Sequence, residues 1–184
     1  MMKRIGVLTG GGDCPGLNPA IKWVCKTALD DELATRRGYD YEVVGIREGW
    51  RGLIKYDHKR HPVLPPRTDF GPDDWARVLV ESEVRTWDRM GGTRLGSSRT
   101  NPFDEKRPTF EAVLENVKAL ELDALVAIGG EDTLGAAAKL TDLGVPTVCI
   151  PKTIDRDLQG TDYSLGFETA VNVIVEEVDR IRTT

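Results

Sequence analysis

Short apolar runs alternate with longer amphipathic stretches along this chain. A short apolar run predicts a buried strand, whereas apolar residues at spacings of three and four predict a helix. The predicted strands are residues 5–8, 41–46, 124–128 and 145–150. The predicted helices cover about 19–29, 110–120, 134–143 and 170–181. This repeated strand–helix order predicts an α/β fold: a parallel sheet covered by helices on both faces, in three αβα layers.

The regions between these elements are less periodic. Residues 30–40 are polar and predict a surface connection, and residues 56–74 are charged and proline-rich, which indicates an irregular insertion. A short helix is predicted over residues 73–80.

Three glycine-rich segments have a composition that suits anion binding: residues 10–12, 91–96 and 129–130. Each is expected to follow a strand. Glycine lets backbone N–H groups approach phosphate oxygens, and a following helix adds its positive end. One such segment alone often only closes a turn. Three that converge on one sheet edge, beside Lys152 and Arg99, favour an anion site. No Walker lysine pattern and no GxGxxG at the first helix are present.

A polar cluster follows the strand predicted to end at residue 150. Lys152, Thr153, Asp155 and Asp157 lie where open α/β folds bind ligands. One carboxylate could take a proton from a hydroxyl while the other groups organise an anion and its metal. The alternative is that the aspartates only form a turn.

Glu131 and Asp132 follow the strand at 124–128 in the same way. Their functional interpretation is magnesium coordination and charge placement for phosphoryl transfer. The structural alternative is that Asp132 caps the next helix. Four carboxylates on two neighbouring loops strengthen the catalytic interpretation.

Composition narrows the class of protein. The chain has 184 residues, is 40% apolar and carries a formal net charge of −5, which argues against a general nucleic-acid binder. Its three cysteines show no CxxC spacing, so neither a disulfide framework nor a zinc site is predicted. The first apolar run is too short for a signal peptide or a membrane span. We therefore expect a cytoplasmic protein without membrane or nucleic-acid partners.

Four segments together resemble the phosphofructokinase family. They are TGGGDCPGLN at 9–18, GTRLGSSR at 92–99, GGEDT at 129–133, and PKTIDRD at 151–157 with GTDYSLGF at 160–167. Their order and spacing agree over essentially the whole chain. NAD kinases and lipid kinases share a similar Gly-Gly-acidic loop but would not be expected to carry the first and last of these segments.

The resemblance implies phosphoryl transfer to the 1-hydroxyl of fructose 6-phosphate, with Mg²⁺ as cofactor. Asp155 matches the general base, and Thr153 and Asp157 match residues that hold the sugar phosphate and the reacting region. Arg99 matches an arginine over the phosphoryl donor, and Glu131 takes the place of the magnesium carboxylate, which is usually Asp. The remaining predicted donor-side residues are Gly11, Gly12, Gly130, Asp132 and Lys152, of which Gly11 matches a backbone contact to the donor phosphates.

Asp132 and Lys152 bear on the identity of the donor. The ATP-dependent members that this chain resembles have glycine at position 132, where a carboxylate would repel the α-phosphate of ATP. Lysine at position 152 is similar to the diphosphate-using members. The two residues together predict diphosphate as donor, and ATP is the alternative.

The family pattern extends beyond this chain. Family members continue into a further domain that supplies more sugar-phosphate residues, so residues 1–184 are expected to be the N-terminal phosphoryl-donor domain of a homo-oligomeric enzyme. An alternative is a chain that binds diphosphate without turnover. The chain also departs from the family at Arg156, where asparagine is usual, and at Gly10, where serine is usual.

Overall fold

The computed structural model describes residues 2–62, 64 and 69–182 and contains one mixed sheet. Its order is β3-β2-β1-β4-β5-β6. β1 pairs in parallel with β2 and β4, β5 pairs in parallel with β4 and β6, and β3 runs antiparallel beside β2. The strands β1 to β6 span Met2–Thr9, Asp40–Ile46, Ala76–Leu79, Ala124–Gly129, Thr147–Thr153 and Leu165–Gly166.

Helices cover both faces of this sheet, as the three-layer prediction requires. The helices α1 to α7 span Leu17–Ala28, Asp31–Arg37, Trp50–Lys55, Glu81–Val84, Phe110–Ala119, Glu131–Asp142 and Phe167–Arg182, and a 3₁₀ turn spans Trp87–Arg89.

The central strands are buried on both sides because their apolar residues alternate between two cores. Leu8 and Val44 pack with residues of α3, α5 and α6, whereas Val7 and Val43 pack with residues of α1, α4 and the 3₁₀ turn. Successive side chains of a strand point to opposite faces, so a strand covered on both faces needs a continuous apolar run. This is why the strands of the interior were predictable from the sequence.

The helix predicted over residues 73–80 is wrong, because this segment contains the edge strand β3. Ala76 and Leu79 are buried there, and the strand is completed by its antiparallel pairing with β2. Its buried polar residue, Arg77, explains the misleading pattern. The Arg77 guanidinium forms two short bonds to the Glu83 carboxylate on α4, at 2.7 and 2.5 Å, so the charge is compensated inside the protein.

The surface connection predicted at residues 30–40 contains the helix α2. None of its residues is buried, so it has no apolar stripe that a periodicity analysis could find. The residues at its two ends are typical of helix caps and would have indicated the helix. The Asp30 side chain accepts a bond from the Leu33 amide at 2.9 Å, and Gly38 ends the helix with φ 75°.

Two further boundaries differ from the sequence expectation. β5 does not end at residue 150 but continues through Thr153, so Lys152 and Thr153 belong to the strand itself. The glycine segment at 91–96 follows the 3₁₀ turn rather than a strand. Of the predicted irregular insertion, residues 63 and 65–68 lie outside the described residues.

The apolar stripe predicted on the last helix is present in α7, but no other described element buries it. No residue of α7 is buried, and Ile174 and Ile181 are exposed. Val148 on β5 and Trp23 on α1 are exposed as well, at 61% and 57%. Within the described residues, no helix is both long and apolar enough to cross a membrane.

The buried pair between Arg77 and Glu83 gives a stability prediction. We expect Glu83→Gln to lower the free energy of unfolding by about 3–5 kcal/mol, because it removes a carboxylate charge that pairs with the buried Arg77 guanidinium. The measurement is urea unfolding followed by circular dichroism. Glu32→Gln is the control, since the Glu32–Arg36 pair is exposed and should contribute at most about 1 kcal/mol. Equal losses for the two variants would contradict the prediction.

Candidate active site

A cleft of about 540 Å³ lies at the carboxyl edge of the sheet, at the ends of β1, β4 and β5. Parallel pairing in the order β1-β4-β5 brings these strand ends together. Every site residue predicted from the sequence lines this cleft: Gly11, Gly12, Arg99, Gly130, Glu131, Asp132, Lys152, Thr153, Asp155 and Asp157.

The loop after β1 is fixed by its own amides. The Gly10 amide donates to the Ile128 carbonyl, and the Gly11 amide donates to the Ser98 carbonyl, both at 2.9 Å. Gly11 has φ 82°, a conformation that favours glycine. The Gly11 amide, which is predicted to contact a donor phosphate, therefore already has a hydrogen-bond acceptor within the chain. In this structure Gly11 shapes the turn that exposes Gly12.

The segment that carries Arg99 is anchored at several points. Buried Asn18 donates to the carbonyls of Met90 and Gly91, at 3.0 and 3.2 Å, and accepts from the Arg94 amide at 2.7 Å. The Ser98 hydroxyl donates to the Glu48 carbonyl at 2.7 Å. These bonds hold the backbone next to Arg99.

Arg99 itself is exposed at the cleft. It makes no ion pair with any carboxylate in the described part of the chain. Its guanidinium is therefore available to an anion in the cleft.

The first turn of α6 faces the same cleft. The helix begins at Glu131, and Gly130 is the residue before it. Asp132 therefore lies inside the first turn rather than at the capping position, so the interpretation of Asp132 as a helix cap is wrong. Glu131 and Asp132 are both exposed in the first turn. The first amides of a helix have no partner within the helix, and they make this end positive.

Lys152 joins two of the loops. The residue is buried, with 6% exposure, and its Nζ donates to the Gly12 carbonyl at 2.7 Å. An ammonium group has three N–H donors, so this bond leaves two for a ligand.

Thr153 organises the carboxylates that follow β5. Its hydroxyl donates to Asp157 Oδ1 at 2.6 Å and accepts from the Asp155 amide at 3.0 Å. Asp157 is therefore part of the turn, which agrees with the alternative interpretation of this aspartate as a turn-forming residue. The Asp155 carboxylate is exposed, and within the described residues it accepts no hydrogen bond. Arg156 between them has φ 54°, and its guanidinium lies 5.3 Å from the centre of the Phe167 ring.

The sequence matches the Phosphofructokinase family over residues 4–184. The chain belongs to the phosphofructokinase family. It is 50% identical over 181 residues to pyrophosphate–fructose 6-phosphate 1-phosphotransferase of Dictyoglomus thermophilum, covering 98% of this chain and 44% of that protein. It is also 39% identical over 184 residues to the ATP-dependent 6-phosphofructokinase of Aliivibrio fischeri, covering 100% of this chain and 49% of that protein.

Solved structures agree on the fold. Phosphofructokinase of Pichia pastoris in the T-state superposes with a TM-score of 0.73 at 25% identity, covering 99% of this chain and 18% of that one. Pyrophosphate-dependent phosphofructokinase of Nitrosospira multiformis superposes with a TM-score of 0.62 at 20% identity, covering 90% and 37%. The latter likeness concerns the fold alone. This chain spans less than half the length of these two curated relatives.

The cleft also contains residues to which the sequence analysis assigned no role. They are Asp13, Ser98, Thr100, Thr133 and Ile154. All of them adjoin predicted site residues, so proximity along the chain was the available signal. Nearby Cys14 is buried, and burial raises the pKa of its thiol to about 11 despite the opposing charge of Lys152. Cys14 is therefore a neutral thiol at neutral pH and not a nucleophile.

The turn at residues 153–157 gives a local prediction. We expect Thr153→Val to speed hydrogen exchange of the Asp155 amide by up to about tenfold, since that amide loses its acceptor and one hydrogen bond contributes about 0.5–1.5 kcal/mol. NMR-detected exchange measures this rate. Thr161→Val is the control, because the Thr161 hydroxyl bonds only to the Tyr163 carbonyl among the described residues, in an exposed loop. An unchanged rate at Asp155 would show that Thr153 does not organise the turn.

Proposed function

We propose that this chain forms the N-terminal phosphoryl-donor domain of an enzyme that transfers a phosphoryl group from diphosphate to the 1-hydroxyl of fructose 6-phosphate. The observation that carries the proposal is one shared cleft with Lys152 at its floor and Asp132 at its rim. The names of the relatives support the acceptor, and relatives of both donor types lie within the same family.

Diphosphate suits the charges around α6 better than ATP does. Exposed Asp132 lies in the first turn of α6, beside the backbone amides that attract a phosphate. An ATP molecule would place a further phosphate and a nucleoside beyond the reacting groups, and the carboxylate would repel that phosphate. Diphosphate is shorter, so it can bind Lys152 and the amides at the helix end without placing a third phosphate beside Asp132.

Asp155 is the proposed general base. Its carboxylate accepts the proton of the sugar 1-hydroxyl while that oxygen attacks the transferred phosphorus, and the bond to the leaving phosphate breaks. Asp155 suits this role because it is exposed at the cleft and unengaged by other described groups. A positioned base contributes about 10²–10⁴ in rate.

Lys152 and Arg99 are the proposed cations of the transition state. Charge spreads over the transferred oxygens during phosphoryl transfer, and fixed positive groups stabilise it. Lys152 is fixed by the Gly12 carbonyl, so its ammonium needs little reorganisation. Thr153 and Asp157 are proposed to hold the acceptor side, next to the base.

The carboxylates of the cleft fit a hydrated magnesium ion. Among the described residues, no group of three His, Cys, Asp or Glu side chains could hold a metal ion. Mg²⁺ commonly keeps several waters and binds one or two carboxylates together with substrate phosphates, so such a group is not needed. Glu131, exposed in the first turn of α6, is the proposed ligand. Bound magnesium would neutralise phosphate charge.

Three further features of the proposal concern the whole protein. The acceptor site needs residues outside this chain, because the curated relatives are more than twice as long. We also propose a homo-oligomer in the cytoplasm, where three free cysteines stay reduced.

The second candidate function is diphosphate binding without turnover by the 184-residue chain.

Donor choice is tested by calorimetric titration of the 184-residue chain with magnesium diphosphate and with magnesium ATP. We expect binding of diphosphate only. In Asp132→Gly, ATP binding should appear, because the repelling carboxylate is gone. Asp142→Gly is the charge-matched control at the other end of α6. Comparable binding of both donors by the unmodified chain would assign it to the ATP-dependent branch.

The base is tested by Asp155→Asn. Turnover, measured in the longest natural form of the protein, should fall by about 10²–10⁴, while diphosphate affinity of the 184-residue chain stays unchanged. Asp162→Asn, an exposed aspartate a few residues later, is the control. Retained turnover in Asp155→Asn would remove Asp155 from the role of base.

A further inference from the structure

The side chain of Thr133 fills the space between two glycines at the ends of β1 and β4. A methyl group added to Gly10 would lie 2.5 Å from Thr133 Oγ1 and 2.9 Å from Cγ2. One added to Gly129 would lie 2.5 Å from Thr133 Cβ and 2.6 Å from Cγ2. Thr133 is 4% exposed, so it is enclosed at this position.

Thr133 cannot easily turn away from either glycine. Threonine is stiff about its first side-chain torsion, and rotation does not move Cβ. A methyl on Gly129 would still meet that Cβ at 2.5 Å, and α6 holds the Cβ in place. A methyl on Gly10 would meet the Cβ at 3.3 Å, which is tight but tolerable once Oγ1 and Cγ2 are gone.

The two glycines lead directly into the predicted phosphate-binding segments. Gly10 precedes Gly11 and Gly12, and Gly129 precedes Gly130 at the start of α6. These segments are close, since a methyl on Gly11 would lie 3.9 Å from the Gly130 amide nitrogen. We propose that Thr133 is a positioning residue that sets the spacing of these two loops for diphosphate. This inference rests on the proposed function.

The shape of Thr133, rather than its hydroxyl, carries this role. Within the described residues, Thr133 Oγ1 makes no hydrogen bond. Thr133→Val keeps the shape and removes only the hydroxyl, so diphosphate affinity should stay within about threefold of the unmodified chain. Removal of a polar group without a partner is nearly neutral. A loss larger than tenfold in Thr133→Val would overturn the proposal in favour of a direct hydroxyl contact.

A double-mutant cycle tests the spacing. Gly10→Ala should weaken diphosphate binding, measured by calorimetry, by about tenfold or more, because small displacements of binding groups are costly. In Gly10→Ala/Thr133→Ala the affinity should return to that of Thr133→Ala alone. Gly129→Ala should weaken binding too, but Gly129→Ala/Thr133→Ala should not recover, since the clash with Cβ remains. Equal behaviour of the two double variants would overturn the proposal.

Two measurements keep the test independent of diphosphate and of misfolding. NMR shifts of the Gly12 and Gly130 amides should move in Gly10→Ala and return in Gly10→Ala/Thr133→Ala. Melting temperatures should follow the same pattern, so a Gly10→Ala chain that fails to fold should fold again in the double variant. Gly135→Ala on α6 is the stability control, because no other group lies within 4 Å of its added methyl. Absence of recovery in both measurements would overturn the spacing role.

The failure of the two proposals can be told apart. If the unmodified chain does not bind diphosphate, the proposed function fails, while the shifts and melting temperatures still decide the role of Thr133. If the unmodified chain binds diphosphate and Gly10→Ala binds equally well, the proposed function stands and the role of Thr133 is refuted.

Discussion

The parallel register of β1, β4 and β5 is the constraint on which the site depends. Thr9 pairs with Ile128, and Gly129 pairs with Pro151, so β1 and β4 end within one residue of the same level of the sheet. β5 continues for two residues beyond that level, to Thr153. Glycines, carboxylates and a lysine lie at these strand ends or directly after them. A shift of register by one residue would send each side chain to the opposite face. Such a shift would exchange the packing partners of Val7 and Leu8, which are buried in opposite cores and packed closely there.

Charge is distributed unevenly around this edge. Lys152 is buried against a backbone carbonyl, whereas Glu131, Asp132, Asp155 and Asp157 are exposed. A buried cation stays fixed and keeps a strong field because little water screens it, while exposed carboxylates are hydrated and cost little. The arrangement places fixed positive charge at the floor of the cleft and negative charge at its rim.

Much of this arrangement could be predicted from the sequence. Interior strands bury both faces, so their apolar runs are unmistakable, and the carboxyl ends of parallel strands meet by necessity. From these two rules, the sequence correctly predicts that Gly12, Gly130 and Lys152 lie close together. The edge strand β3 was missed because it carries Arg77, a buried charged residue that pairs with Glu83 on another element. Helix α2 was missed because nothing in it is buried. The bond from the Gly11 amide to Ser98 joins residues far apart in sequence, and no local pattern encodes it.

Hydrogen bonds within the chain hold several of the groups that line the cleft. Backbone bonds fix Gly10 and Gly11, the Gly12 carbonyl fixes Lys152, and Thr153 fixes the turn that carries Asp155. Groups held in advance do not lose further freedom when a ligand binds, which increases the affinity available from few contacts. Diphosphate has no nucleoside that could add contacts elsewhere. A ligand without a nucleoside therefore depends on groups held in advance more than ATP does, and buried Lys152, held by the Gly12 carbonyl, is such a group.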